Sequence, residues 1–116
     1  MKMMLVVIEE DVHNESTQVL GVLQFTGKLN YKKIMLTAFD YLKSEWPSRF
    51  ERCMVDLFVE DGKGRFDKFF GQCYQMNVLQ PWQNFCVGSK KLEVGSYFVI
   101  SVSGEYGPEI KEYIKL

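Results

Sequence analysis

Val22-Leu23-Gln24-Phe25-Thr26-Gly27, leading into Asn30-Tyr31, has a counterpart 77 positions further on, from 22 to 99: Val99-Ile100-Ser101-Val102-Ser103-Gly104, leading into Gly107-Pro108. Each stretch reads as a strand that ends on a glycine, crosses a short loop and starts a helix. Self-similarity at a fixed offset is a statement about architecture. It predicts a strand-helix-strand-strand unit followed by a partial second copy, because Leu116 aligns with Phe39, midway along the first copy's helix. The expected fold is α+β, a mostly antiparallel sheet with one long helix over about 31–46 and a short C-terminal helix over about 108–116.

Outward from the first copy, Asn30 is a good N-cap, its side chain able to accept a bond from an unpaired backbone N–H. Tyr31, Ile34, Met35, Ala38, Phe39, Leu42 and Trp46 recur at three- and four-residue spacing and give one apolar helix face. Pro47 ends that helix by pushing the residue before it out of helical conformation. Residues 4–8 and 18–26 read as the preceding strands, joined by a polar loop, with Gly21 marking a bulge. From 53 to 60 the chain alternates. Cys53, Val55, Leu57 and Val59 form one face; Met54, Asp56, Phe58 and Glu60 form the other. Asp61-Gly62-Lys63-Gly64 is a hairpin turn, and Arg65 to Val78 is its aromatic return strand. After a loop around Pro81-Trp82, a last strand runs to Ser103. Pro108 then opens a helix with Ile110, Tyr113 and Ile114 on one face.

The totals bound the function. A chain of 116 residues makes a single domain, 1–116, large enough to bury one core. A net charge of −1 without a basic stripe argues against direct nucleic-acid binding, which needs a concentrated positive face. The N-terminal apolar run of six residues stops at Glu9 and is too short for a signal core or a membrane span. No membrane association is expected, and the three cysteines, Cys53, Cys73 and Cys86, read as reduced thiols of a cytoplasmic protein.

No catalytic signature is present. His13 is the sole histidine, so a histidine triad or multi-histidine metal site is excluded within one chain. No metal or other cofactor is implied. Asp61-Gly62-Lys63-Gly64 lacks the Gly-Lys-Ser/Thr ending of a phosphate loop and precedes a strand rather than a helix. A hydrolase using Asp56 with Glu60 or Cys73 has no nucleophile, base and orienting group that can be named together. Asp56 itself is the more informative acid. A carboxylate between Met54 and Phe58, once desolvated, has a raised pKa and suits a cationic ligand or a proton transfer. Against that stands a plain solvated sheet face. Gln24 and Thr26 from one neighbouring strand, and Tyr97 and Ser101 from another, would complete a surface fit for a ligand cleft or a protein interface.

Ala38-Phe39-Asp40-Tyr41-Leu42-Lys43-Ser44-Glu45-Trp46-Pro47, followed by Val55-Asp56-Leu57-Phe58-Val59-Glu60-Asp61, resembles the gyrase-inhibitor-like (GyrI-like) effector-binding domain. That domain also occurs at the C-termini of AraC-type, multidrug-responsive transcription regulators. Glu93 to Ile100 with Gly104-Glu105-Tyr106 is similar to its second-repeat strand. The resemblance implies two strand-helix-strand-strand units around a cleft for bulky, aromatic or cationic molecules. It assigns the ligand-meeting acid to Asp56, where the family's usual residue is a glutamate, and cleft-lining roles to Trp46 and Tyr97.

The expectation is a non-enzymatic small-molecule-binding or sensing protein with Asp56, Phe58, Trp46, Tyr97 and Gln24 at its site. The alternative is a protein-binding inhibitor or immunity-type module of a mobile element, acting through an aromatic surface of Phe58, Tyr97 and Trp82. A half-finished second unit leaves strand edges that need a cover, so a homodimer is expected.

Overall fold

A computed structural model describes residues 1–66 and 68–116. It is built on one six-stranded antiparallel sheet, in the order β2-β1-β3-β4-β7-β8. The strands are β1 Lys2–Asp11, β2 Ser16–Thr26, β3 Cys53–Val59, β4 Lys68–Val78, β7 Gly95–Gly104 and β8 Gly107–Lys115. The helix α1, Tyr31–Glu45, lies between β2 and β3, and a 3-10 helix follows at Pro47–Arg52. A two-residue ladder, β5 Cys86–Val87 with β6 Lys90–Lys91, sits on the excursion between β4 and β7. The α+β class and the predominance of antiparallel pairing therefore match the sequence reading.

The amphipathic stripe does what its spacing requires. Ile34, Met35, Ala38 and Leu42 are buried on α1, and Asn30 Oδ1 accepts the Lys33 backbone N–H at 3.0 Å. The helix covers one sheet face, packing on Met3, Leu5, Val7, Cys53, Val55, Leu57, Cys73, Phe98 and Ile100. Phe39, Phe50 and Phe98 stack edge-to-face or tilted within 5.5 Å of one another and fill the centre of this layer. Trp46 closes the far end, edge-on to Tyr41 at 5.4 Å. Its ring lies so close to Gly21 that a Cβ there would stand 2.4 Å from it.

Three expectations are corrected. Residues 108–116 are not a helix but the edge strand β8, hairpinned to β7 through Glu105-Tyr106, with Gly107 at φ +112° turning the chain back. The second copy of the unit is thereby absent. β2 is an outer strand whose Leu23 is only partly buried, whereas β7 lies between β4 and β8 with Ile100 fully buried. The two similar stretches occupy unlike places in the sheet. The bulge expected at Gly21 falls next to it, on Leu20, which has no partner between the Val7–Gly21 and Ile8–Val19 pairs.

Candidate functional site

The sheet face turned away from α1 is covered over only part of its width. The excursion after β4 folds Phe85, Val87 and Leu92 onto Tyr74, Met76, Tyr97, Val99, Ile110 and Tyr113, making a second, smaller core over β7 and β8. Tyr97 is its anchor, buried, edge-on to Tyr113 at 5.8 Å and donating its hydroxyl to the Glu93 carbonyl at 2.7 Å. Over β2, β1 and β3 no such layer exists among the described residues. Strand register sorts this open half into cross-sheet rows. One runs Val22, Val6, Asp56, Gln72, Ser101, Ile110. Beside it run Gln24, Met4, Phe58, Phe69 on one flank and Val19, Ile8, Met54, Tyr74 on the other. Exposure falls along the central row, from 48% at Val22 to 5% at Ser101, where the cover begins.

Asp56 is the only ionisable group in the central row and stands at its middle. Gln72 Nε2, from the neighbouring strand, donates to its Oδ1 at 3.0 Å. Desolvation by the surrounding apolar side chains raises the Asp56 pKa above the ordinary aspartate value, and the Gln72 bond opposes part of that rise. Val6 stands directly across from it, with Met54 and Phe58 two residues away along its own strand. The carboxylate is thus half-buried among apolar neighbours and held by one neutral donor. An apolar group carrying a positive charge would find both of its needs met there.

Of the residues expected at a site, the structure brings together Asp56, Phe58 and Gln24, which share this face. It separates the other two. Trp46 packs on Gly21 from the α1 side of the sheet, and Tyr97 is sealed under the excursion with its hydroxyl already bonded. The proposed aromatic surface of Phe58, Tyr97 and Trp82 is likewise not continuous, since Tyr97 is buried, although Trp82 is 74% exposed in its loop. Gln72 is the residue that sequence reasoning missed. Its role depends on strand register, which a bulge at Phe70 shifts between the Leu57–Gly71 and Phe58–Phe69 pairs.

Other features offer less chemistry. Cys73 points into the α1-side core, opposite Asp56, and burial pushes its thiol up to about 12, so it stays protonated. All three cysteines are unpaired thiols. A cleft of about 630 Å3 lies between the 3-10 helix and the ends of β4 and β7, lined by Lys43, Phe50, Arg52, Gln75, Ser96 and Leu116. It lies with Phe50 on the α1 side of the sheet, not on the face that carries Asp56. A second, of about 510 Å3, joins Glu9, Asp11 and His13 to Arg49 and Arg52. No group of three or more metal-ligating side chains is found among the described residues, and no helix is long and apolar enough to cross a membrane. Comparison of the chain with protein-family models, with curated proteins and with solved structures finds no match.

Proposed function

We propose that this protein binds, without catalysis, a bulky molecule that combines an apolar or aromatic body with a positive charge. The open half of the sheet would be its seat and Asp56 its ionic anchor. The observation that carries this reading is the half-buried carboxylate flanked by Val6, Met54 and Phe58, with a Gln72 bond as its hydrogen-bond partner among the described residues. Burying a carboxylate without a full partner is unfavourable, and a cation laid over it would relieve that cost. Phe58 and Phe69, edge-on at 6.1 Å, offer ring surface beside the acid for stacking or cation–π contact. The excursion supplies a wall on one side, where Ser101 becomes buried. The resemblance of residues 38–47 and 55–61 to GyrI-like domains points to the same ligand class and the same acid, and the order β2-α1-β3-β4 follows one unit of that pattern.

Thermal-shift screening against planar organic cations tests the proposal. A ligand present at 100 times its dissociation constant adds about 2.7 kcal/mol of stability. The expected result is a shift with at least one cationic aromatic probe that Asp56→Asn abolishes. Absence of any shift across a broad panel would overturn it. A protein occupant acting on the same face, as an inhibitor or immunity-type module requires, is the second reading. The breadth of the open face favours it, with Val19, Val22 and Phe69 each more than two-fifths exposed. Retention of the chain by a native-lysate protein, lost on Phe69→Lys, would select that reading instead.

A further inference from the structure

The two edges of the sheet are built differently. β8 is guarded: Pro108 stands near its start, and Glu109, Lys111, Glu112 and Lys115 follow along its length. A Lys111–Glu109 ion pair at 3.1 Å adds to the charge on that edge. These are the devices by which natural sheets prevent edge-to-edge pairing. β2 has none of them. Its eleven residues, Ser-Thr-Gln-Val-Leu-Gly-Val-Leu-Gln-Phe-Thr, include no charge and no proline. Apart from the Leu20 bulge, its one side-chain guard among the described residues is a long bond of 3.5 Å from the Tyr41 hydroxyl to the Val22 carbonyl. A long strand of high β-propensity with free backbone groups on its outer side is a template for another strand.

The charges around its two ends say which strand. At the start of β2 lie Glu10, Asp11 and Glu15, with Arg49 and Arg52 paired to Glu9 beside them; at its end lie Lys2, which pairs with Thr26 and has Glu60 for a neighbour, and then Lys28, Lys32 and Lys33. The strand is neutral with an acidic head and a basic tail. Laid antiparallel on a copy of itself about a two-fold axis, it places each acidic head against the other's basic tail. A parallel arrangement would oppose like charges. We infer that β2 is a self-complementary dimerisation edge, pairing antiparallel with β2 of a second copy so that two six-stranded sheets become one. Such an isologous contact closes on itself and leaves no further copy to add. Val19 and Val22, 58% and 48% exposed at this edge, would lie close to the axis, each against β2 residues of the other copy. The open faces of the two copies then run together, and a site centred on Asp56 becomes one of two on a shared surface. The inference stands on the edge alone and does not depend on what binds Asp56.

Sedimentation equilibrium of the full chain tests it, using variants at exposed positions. Wild type is expected to be a dimer at micromolar concentration, and Val22→Lys, which restores the guard that the edge lacks, should raise the dimer dissociation constant at least about tenfold. Glu15→Lys alone should weaken the dimer, and so should Lys28→Glu alone. The double swap should restore it, because both contacts across the axis are then reversed together. A monomer at all concentrations overturns the inference. So does a dimer that ignores Val22→Lys and the charge swaps, or assembly into open-ended oligomers.

Discussion

Asp56 sets the residue-scale expectations. Its folded-state pKa is raised, so between the ordinary aspartate value and the raised one the folded protein holds more protons than the unfolded chain. Stability contributed by this group is therefore present in acid and is lost as pH rises through that window. Asp56→Asn removes the loss while leaving an oxygen for Gln72 to bond. It should raise the melting temperature at neutral pH and leave it unchanged in acid. The effect should stay below about 1 kcal/mol, because the group is only partly buried and water still screens it. Melting curves of both proteins across that pH range check the sign. Gly21 makes a sharper case. An added Cβ would meet the Trp46 ring at 2.4 Å and the Tyr41 hydroxyl at 2.8 Å, and neither aromatic group can retreat without disturbing the other. Gly21→Ala should cost about 1–3 kcal/mol in urea unfolding, the usual penalty of overpacking.

Among the elements, α1 was the most legible in the sequence, because a seven-member apolar stripe between Asn30 and Pro47 admits one reading. Asn30→Ala should remove about 1 kcal/mol by leaving the Lys33 N–H without its side-chain acceptor. β8 was misread for a definite physical reason. Ile110 and Tyr113 stand three apart, a helical interval, yet both lie on the excursion side of the sheet. A bulge at Lys111 reverses the strand's alternation between the Ile100–Glu112 and Ser101–Ile110 pairs. A sequence displays spacing but not bulges, so two strand-facing residues resembled a helix face. The same blindness hid Gln72 behind the bulge at Phe70. The excursion carries its own prediction. Tyr97→Phe deletes the bond to the Glu93 carbonyl, which should cost about 1 kcal/mol. Hydrogen exchange should then quicken through residues 85–92 while α1 keeps its protection.

The whole molecule is a sheet with two unequal faces. α1 and the 3-10 helix close one of them, and the short excursion can roof only the β7–β8 side of the other. The apparent repeat misled because both similar stretches are strands ending on glycine, which the sequence states correctly, while the glycines serve different turns. Gly27 leads on to a helix and Gly104 opens a tight hairpin. What the alternation of residues 53–60 did convey was the sidedness of β3, and with it the placement of Asp56 and Phe58 away from the core. Trp46 and Tyr97 could not be sorted in the same way. Their positions are decided by Gly21 leaving room on one face and by Glu93 folding back on the other.

Amide chemical-shift mapping during titration with a cationic aromatic probe examines the binding face most directly. Perturbations should concentrate on Val6, Met54, Asp56, Phe58 and Gln72 and vanish in Asp56→Asn. Perturbations confined to Lys43, Arg52 and Ser96 around the other cleft, or none from any probe, would contradict the account.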